Sequence, residues 1–304
     1  MKIKEFPNTK EDPDFIRKNP KARAKDINDA FADKEVKVII ASIGGEDSIR
    51  ILPFLNTEII KNNPKIIMGY SDTTTILAYL NKLGIVTFNG PAIMAGFAEQ
   101  GKLKEEFVNH IKSFFYEDYS IYEYKEYSEW TEQRLEWSDK ENLKKTRDFI
   151  KNDGWRFLQG EKKKMIGELY GGCIEVLEFL KSTDFWPSKN FWNEKILFFE
   201  TSEEKPTVNH VKWMLRNYGM QGVFEKISGL LFGRARQYTD SEKKDLDKMI
   251  VDIVANEFNR NDLPIISNMD FGHTDPQLVM PLGVKAEIDC ENKSFKLVES
   301  PFSK

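Results

Sequence analysis

The sequence predicts an α/β protein whose first half is built on a parallel sheet with helices on both faces. Apolar runs of strand length, rich in valine and isoleucine, alternate there with segments whose apolar residues recur at helical spacing. Such alternation is typical of βα units, which place parallel strands side by side. At 304 residues, the chain is long enough for one large domain or two ordinary ones.

The elements of the first half follow one another in a regular order. A helical pattern precedes a strand-like run that ends at Gly44 and Gly45. A second helical piece leads to a strand that ends in Gly-Tyr-Ser-Asp, and a third helix, a short strand and a charged amphipathic helix follow. In chain order, these elements are predicted over residues 21–33, 36–43, 47–63, 65–70, 73–83, 85–90 and 101–116.

Residues 117–164 interrupt the alternation. The segment is dense in charged and aromatic residues and shows little periodicity, which favours a solvated connector for most of its length. Long irregular segments inside compact proteins are also often functional, so Trp130, Trp137 and Trp155 could instead form part of a lid over a site. Both interpretations are open on the sequence alone.

A second α/β unit follows this segment. Its strands and helices are predicted at residues 195–200, 205–218, 227–233, 240–257 and 264–270. Residues 278–299 alternate in polarity around Asn292, which is typical of a β-hairpin. We therefore divide the chain into an N-terminal domain (1–116), a connector (117–164) and a C-terminal domain (165–304).

Composition argues against several classes of protein. The formal net charge is −4, from 45 basic and 49 acidic residues, and no basic stripe indicates nucleic-acid binding. Cys173 and Cys290 match no metal or redox spacing and are too few for a disulfide framework. The N-terminal residues contain no apolar h-region, and the longest apolar runs are strand-sized. We expect a cytoplasmic protein that uses no metal or cofactor and binds neither membrane nor nucleic acid.

Ser71 is the first candidate for chemistry. It lies within residues 64–80 (PKIIMGYSDTTTILAYL), where a strand-like run ends and a helical pattern begins. A serine on a strand-to-helix elbow is a candidate nucleophile, whereas Ser-Asp-Thr at this place would also cap a helix. The stretch by itself supports both interpretations.

A serine nucleophile needs a base, and the chain contains three histidines. His110 and His210 lie in helical patterns and are most simply packing or surface residues. His273 follows a predicted strand and a glycine, and therefore lies in a loop at a strand end, where rigid scaffolds present catalytic groups. We predict His273 as the base.

Glu200 is the candidate acid because it ends the apolar run of residues 195–199 and would emerge at the end of a buried strand. The alternative is that residues 200–206 form only a strand exit and a helix cap, although the cap does not require Glu200. The order Ser71, Glu200, His273 is the nucleophile, acid, base order of α/β-hydrolases. The serine motif nevertheless lacks the second glycine of the G-x-S-x-G elbow.

An acyl-transfer site must also stabilise an oxyanion, usually with backbone N–H groups. The amide of Asp72 directly follows the serine at a helix start. Gly44 and Gly45 end the preceding predicted strand, and a glycine there lets a second amide approach closely. On an open parallel sheet these two strand ends face the same crevice, although turn formation explains the glycine pair equally well.

Taken together, these residues resemble the LD-carboxypeptidase family of serine peptidases, and within it the branch of the microcin C self-immunity proteins. The resemblance runs through nearly the whole chain, and its motifs follow the family's order. They occupy residues 24–55, 64–74, 158–177, 196–204 and 271–289.

The resemblance implies a Ser-Glu-His triad of Ser71, Glu200 and His273. It also implies an oxyanion hole formed by the backbone amides of Asp72 and of the glycine pair, most simply Gly45. The fold that it implies is a Rossmann-like N-terminal domain joined to a C-terminal α/β domain of barrel-like character, in a homodimer.

The substrates implied by the resemblance carry a free carboxylate beside the cleaved amide. They are murein tetrapeptides ending in D-alanine or, in the immunity branch, an aminoacyl nucleotide analogue. We favour the immunity branch because residues 200–204 (ETSEE) resemble it, and because the tryptophan-bearing connector resembles its aromatic loop, which stacks on a nucleotide base. Arg234, past a predicted strand, is the candidate that binds the carboxylate, and Trp155 is a further candidate contact to the substrate.

Two features depart from the family pattern. Only a short segment precedes residues 24–31, so the first βα unit of the sheet is expected to be missing, which would leave an exposed edge strand. Cys173 stands where the family usually has asparagine. A murein carboxypeptidase, a catalytically impaired binding protein, and an α/β ligand-binding protein in which Ser71 only caps a helix are therefore kept as alternatives.

Overall fold

The computed structural model describes residues 2–102 and 104–302, which form two main sheets, a two-stranded ribbon and the helices packed against them. The α-helices are α1 (Pro13–Lys18), α2 (Pro20–Ala32), α3 (Thr57–Asn62), α4 (Thr74–Lys82), α5 (Glu105–Tyr116), α6 (Ile174–Glu178), α7 (Val208–Met220) and α8 (Asp240–Val251), and a π-helix at Asp252–Glu257 continues α8. Short 3₁₀ helices lie at Ser48–Phe54, Ser71–Thr73, Phe97–Lys102, Lys140–Lys144 and Lys189–Trp192. The strands are β1 (Val38–Ile40), β2 (Ile66–Gly69), β3 (Thr87–Asn89), β4 (Tyr122–Glu123), β5 (Glu129–Trp130), β6 (Ile150–Lys151), β7 (Arg156–Gln159), β8 (Lys164–Cys173), β9 (Lys195–Glu200), β10 (Gly229–Gly233), β11 (Ile265–Met269), β12 (Met280–Leu282), β13 (Lys285–Asp289) and β14 (Ser294–Leu297).

The first sheet has the strand order β1-β2-β3-β12. β1, β2 and β3 run parallel, with Ile39 opposite Ile67 and Met68 opposite Phe88. α4 packs against β2 and β3, and its apolar side chains are almost entirely buried. These strands confirm the parallel sheet predicted for the first half. β12 comes from the other end of the chain and pairs antiparallel with β3.

The second sheet has the strand order β4-β14-β13-β8-β9-β10-β11-β7. Its four central strands, β8 to β11, run parallel, and the strands on either side are antiparallel to their neighbours. Every residue of β9, β10 and β11 is buried, as expected for strands covered on both faces. The predicted strands at 195–200, 227–233 and 264–270 are confirmed as these three, and the predicted hairpin is confirmed as β13 and β14.

The segment predicted as a connector, residues 117–164, lies against the second sheet for part of its length. Its strands β4 and β7 form the two edges of that sheet. Tyr124, Tyr127 and Trp130 are buried, and the Tyr124 hydroxyl donates a 2.7 Å hydrogen bond to the carbonyl of Val279. The segment therefore supplies both sheet edges and core side chains. The domain boundaries stay a prediction.

The helix predicted over residues 47–63 is interrupted. Ser48–Phe54 is a 3₁₀ helix with Pro53 inside it, and α3 begins only at Thr57. Proline has no amide to donate and clashes with the preceding turn, so it ends regular helical bonding. Asn56 then caps α3 by accepting a hydrogen bond from the amide of Ile59, at 3.0 Å.

The candidate residues collect at the carboxyl ends of buried strands. Ser71 follows β2, Glu200 ends β9, and His273 follows β11. At the far side of the first sheet, β1 is an edge strand. In the part of the chain that the structure describes, no helix combines the length and apolar character needed to cross a membrane.

Candidate active site

Ser71 occupies a strained turn between β2 and α4. Its φ angle is +58°, in the left-handed region that residues other than glycine seldom adopt. Residues Ser71–Thr73 form a single 3₁₀ turn that runs directly into α4. Among the described residues, no group forms a hydrogen bond with the Ser71 hydroxyl. Backbone strain of this kind is concentrated at functional sites, so the turn has the form expected of a nucleophile elbow.

The loop of Gly44 and Gly45 lies directly against the serine turn. A Cβ atom at Gly44 would be 3.2 Å from the Ser71 Oγ, and one at Gly45 would be 3.0 Å from the Asp72 Oδ2. The buried Asp72 carboxylate accepts hydrogen bonds from the amides of Ser48, at 3.0 Å, and Asp47, at 3.3 Å. Burial raises the pKa of Asp72, and the Ser48 amide opposes that rise. Asp72 therefore fixes the glycine loop beside Ser71 through its side chain.

His273 and Glu200 form a buried pair. The Nδ1 of His273 lies 2.6 Å from the Glu200 Oε2, and both side chains are essentially inaccessible to solvent. A carboxylate accepts, so Nδ1 carries the proton and donates it, which leaves Nε2 as the nitrogen able to act as a base. Gly272 makes the pairing possible: its φ is +103°, and a Cβ there would be 2.7 Å from the Cβ of Glu200.

The other ring nitrogen of His273 faces a second carboxylate. Its Nε2 lies 2.7 Å from the Glu203 Oε2, and Arg134 approaches the other oxygen of Glu203 at 3.6 Å. Burial alone would lower the pKa of His273, but the Glu200 and Glu203 carboxylates outweigh it and raise the pKa to about 9. Contact with His273 lowers the pKa of Glu203 to about 2. In the free protein, His273 therefore lies between two carboxylates that favour its charged form.

Tyr70 brings the serine turn and the histidine together. The ring centroids of Tyr70 and His273 are 5.0 Å apart with an interplanar angle of 63°. Because Tyr70 directly precedes Ser71, the predicted nucleophile and base lie on neighbouring loops. In this conformation Nε2 contacts Glu203, and no hydrogen bond joins it to Ser71 among the described residues.

The two predicted substrate contacts, Arg234 and Trp155, converge on one buried carboxylate, Asp270. Arg234 Nη2 lies 2.6 Å from Asp270 Oδ1, and Trp155 Nε1 donates to Asp270 Oδ2 at 2.8 Å. Asn152 bonds both the Asp270 carboxylate and the Arg234 guanidinium, and the ring of Trp130 lies 4.7 Å from that guanidinium. This network supports the chain just before the His273 loop. The substrate-binding roles of Arg234 and Trp155 stay predictions.

The connector also holds the other side of the His273 loop. Thr131 and Asp275 pair through their backbones, and the Arg147 guanidinium lies 2.7 Å from the Asp275 carboxylate. Arg147 also lies 2.9 Å from Glu99, which accepts a 3.4 Å hydrogen bond from the Trp137 ring. Trp137 keeps 38% of its surface exposed, unlike the buried Trp130. Its ring is therefore accessible beside the loops that carry the candidate residues.

The remaining histidines have structural roles. His110 Nε2 accepts a 3.0 Å hydrogen bond from the amide of Val279, so its Nδ1 carries the proton and faces the Tyr122 hydroxyl at 2.7 Å. Burial lowers the pKa of His110 to about 3, so the ring is neutral. His210 lies on the exposed side of α7 and belongs to the capping box of that helix, with Thr207. These positions agree with the packing and surface roles expected from their helical patterns.

Three residues of the site were not predicted from the sequence. Glu203 and Tyr70 flank predicted residues along the chain, but only the folded loops show that both contact His273. Asp270 could not be distinguished in the sequence from the many other carboxylates, except by its position directly after a predicted strand. In the structure it follows β11 and is completely buried beside Arg234.

The arrangement is suited to acyl transfer. The strained turn of Ser71 lies beside His273, whose Nδ1 is bonded to the buried carboxylate of Glu200. This is the arrangement of a serine triad. Among residues 2–102 and 104–302, no group of three or more histidine, cysteine, aspartate or glutamate side chains is placed to hold a metal ion.

Comparison with known proteins gives consistent matches to one family. The LD-carboxypeptidase N-terminal domain profile matches residues 1–90, and the LD-carboxypeptidase C-terminal domain profile matches residues 166–288. The microcin C7 self-immunity protein MccF of Escherichia coli is 30% identical over 294 residues, which cover 95% of this chain and 82% of that protein.

Solved structures resemble the fold over almost its full length. An MccF-like protein from Streptococcus pneumoniae in complex with AMP matches with a TM-score of 0.83 and 30% identity, over 96% of this chain and 87% of the other. MccF in complex with aspartyl sulfamoyl adenosine matches with a TM-score of 0.81 and 29% identity, over 93% of this chain and 82% of the other.

Proposed function

This chain belongs to the LD-carboxypeptidase family, and on that basis we propose that it uses a serine nucleophile to hydrolyse an amide bond beside a free carboxylate. The observation that carries the proposal is the buried His273–Glu200 pair at 2.6 Å, next to the strained turn of Ser71. A histidine oriented by a carboxylate at a strand end, beside a serine elbow, is the arrangement that serine hydrolases use.

The proposed reaction begins when His273 Nε2 takes the proton of the Ser71 hydroxyl. The Ser71 oxygen then attacks the amide carbonyl, and the amides of Asp72 and Gly45 stabilise the oxyanion that forms. His273 returns the proton to the leaving nitrogen, and a water molecule activated by the same nitrogen hydrolyses the acyl-enzyme. Glu200 holds the imidazole in the required tautomer and stabilises its charged form throughout.

Glu203 has to leave Nε2 before this reaction can start. Its carboxylate lies 2.7 Å from the nitrogen that must receive the serine proton. Glu203 is 40% exposed, so it can turn toward solvent. Its departure also removes one of the charges that raise the pKa of His273, which makes the histidine a base at lower pH.

We propose an immunity-type substrate, in which the amide joins an acidic aminoacyl group to a nucleotide-like group. One similar structure is MccF in complex with aspartyl sulfamoyl adenosine. Another is the MccF-like protein in complex with AMP. The exposed ring of Trp137 is available to stack on a base, and such stacking contributes about 1–3 kcal/mol per base. The proposal places the protein in the cytoplasm as a homodimer, and sedimentation equilibrium tests the dimer.

Two alternatives are distinguished by experiment. A murein LD-carboxypeptidase would cleave an LD-linked tetrapeptide in preference to an aminoacyl nucleotide. A catalytically impaired binding protein is favoured by one observation, the Glu203 contact that occupies His273 Nε2. Turnover of aspartyl sulfamoyl adenosine and of an LD-linked muropeptide, measured side by side, decides among the three, since the binding protein would turn over neither.

The triad is tested by labelling with a fluorophosphonate, which reacts with activated serines. We expect the wild-type protein and His210→Ala to be labelled, Ser71→Ala to be unlabelled, and His273→Ala to be slowed by about 10³-fold or more, as for loss of a triad member. Labelling that persists in Ser71→Ala, or that depends on His210 rather than His273, would contradict the assignment.

A further inference from the structure

Arg236 is a largely buried cation to which the described residues offer no ion pair. Only 8% of the residue is exposed, and its Nε is enclosed without a hydrogen bond. No described residue forms an ion pair or a hydrogen bond with its guanidinium. A buried charge is ordinarily paired, because desolvation without a partner is strongly unfavourable. The absence of a partner in the free protein therefore points to an anion that binds from outside.

The loop that carries Arg236 lies beside the proposed catalytic residues. The amide of Gln237 donates a 2.6 Å hydrogen bond to Glu132, which fixes the loop to the connector two residues before Arg134. Burial lowers the pKa of Arg236, and the neighbouring charge of Arg134 lowers it further, while Glu203, Glu132 and Tyr70 oppose the change. Arg134, whose charge acts on Arg236, lies on the side of the site where Glu203 contacts His273.

Arg234, two residues earlier, has a different environment. Its guanidinium is paired with the fully buried Asp270 and bonded to Asn152. That charge is already neutralised inside the protein, and releasing it would leave Asp270 buried and unpaired. Of the two arginines that follow β10, only Arg236 has a charge available for a ligand.

We propose that Arg236, assisted by Arg134, binds the carboxylate that lies beside the scissile amide of the substrate. The inference rests on the proposed function, because it identifies how that site recognises its substrate class. Arginine suits this role, since its planar fork matches the two oxygens of a carboxylate.

Glu203 acts in the free protein as an internal substitute for this carboxylate. Its side chain lies 3.6 Å from Arg134 and 2.7 Å from His273 Nε2. A substrate carboxylate that pairs with Arg236 and Arg134 competes with Glu203 for Arg134 and repels it as a like charge. Binding of the correct substrate group therefore releases the base at the moment when it is needed.

The test compares aspartyl sulfamoyl adenosine, whose aminoacyl group carries the carboxylate, with asparaginyl sulfamoyl adenosine, in which a carboxamide replaces that carboxylate. Binding of both compounds is measured by calorimetry to the Ser71→Ala protein, alone and combined with Arg236→Gln, Arg236→Lys or Arg216→Gln. Arg216 is a partly exposed arginine on α7 paired with Glu257, and its variant is the matched control. Ser71→Ala prevents turnover during the measurement.

We expect the parent to bind the acid more tightly than the carboxamide, and Arg236→Gln to weaken binding of the acid by about 10- to 100-fold without affecting the carboxamide. Arg236→Lys keeps the charge and the fold, and it should lose part of the preference because lysine cannot pair with both oxygens. Arg216→Gln should match the parent.

Equal affinity of the parent for the acid and the carboxamide would overturn the inference. An equal loss of affinity for the acid and the carboxamide in Arg236→Lys would also overturn it, since this would indicate that Arg236 has a structural role alone. Fluorophosphonate labelling of the Ser71-containing protein reports separately on the proposed function. If the Ser71-containing protein is not labelled, but the acid still binds more tightly than the carboxamide in a way that depends on Arg236, serine catalysis is rejected and the carboxylate site is retained.

Discussion

At the scale of single residues, the contact between His273 Nε2 and Glu203 most directly controls the proposed chemistry. It places a carboxylate where the serine hydroxyl must bind and stabilises the charged form of the base. The raised pKa of His273, about 9, describes the protein before substrate binds. The active form is the neutral imidazole, so, while the Glu203 contact is kept, the fraction of His273 able to act as a base rises as the pH passes upward through this value.

Replacing Glu203 with glutamine tests this control. Glu203→Gln removes a carboxylate that raises the pKa of His273, so the base becomes neutral at lower pH. We expect the pH of half-maximal fluorophosphonate labelling to fall by about 1–3 units. Glu204→Gln is the matched control, because Glu204 is an exposed neighbour outside the contact. An unchanged pH profile in Glu203→Gln would show that Glu203 does not govern the base.

At the scale of elements, α5 is tied to the start of β12 by a buried neutral histidine. His110 accepts a hydrogen bond from the amide of Val279, and burial lowers its pKa to about 3 in the folded protein. In the unfolded chain a histidine titrates near 6.5. Below pH 6.5 the unfolded chain therefore binds a proton that the folded protein excludes, and stability falls as the pH decreases toward 3.

His110→Gln tests this dependence. Removing the titrating group should abolish its contribution to the dependence of the unfolding free energy on pH. Below pH 6.5, that contribution approaches about 1.4 kcal/mol per pH unit. Urea unfolding at pH 7 and pH 5 measures the slope in the wild type, in His110→Gln and in His210→Gln as a control. Parallel slopes in the wild type and His110→Gln would exclude this role, whatever the variant's stability at pH 7.

Strands were predicted correctly where their own residues carry a clear apolar pattern. The run at residues 195–200 matches β9, because a continuous apolar stretch can be buried only between layers. Residues 117–164 could not be read in this way, since β4 pairs with β14 and β7 pairs with β11, far away in the chain. Their short strands gain stability from those partners and carry little periodicity of their own.

The same limit applies to the candidate site. Ser71 and Glu200 were identified because each stands at the end of an apolar run, and His273 because it follows a predicted strand and a glycine; all of these are local features. Glu203 and Arg236 could not be chosen, because their significance depends on which charges the folded loops bring together. Arg234 and Arg236 have similar positions in the sequence and opposite environments in the structure.

At the scale of the whole molecule, the two sheets are joined next to the proposed nucleophile. The amide of Cys173, at the end of β8, donates a 3.2 Å hydrogen bond to the hydroxyl of Thr74, the first residue of α4. Cys173 pairs with Glu200 across β8 and β9. The hydrogen bond therefore connects the serine turn on one sheet to the acid on the other.

Thr74→Val tests this connection. The substitution keeps the shape but leaves the buried amide of Cys173 without an acceptor, so we expect a loss of about 1–3 kcal/mol in the free energy of unfolding. Fluorophosphonate labelling of Ser71 should also slow, because the serine turn is less firmly placed against the His273 loop. Thr74→Ser retains the hydroxyl and serves as the control. Equal behaviour of the two variants would show that the hydrogen bond contributes nothing.

The pairing of β12 with β3 has a consequence for synthesis. β3 ends at Asn89, whereas its antiparallel partner ends at Leu282, near the end of the chain. At about 5–20 residues added per second, about 10–40 s pass between the emergence of these two strands from the ribosome. The first three strands can form early, but one border of their sheet stays without its partner for this interval. The nascent chain is therefore most vulnerable to association with other chains before β12 is made.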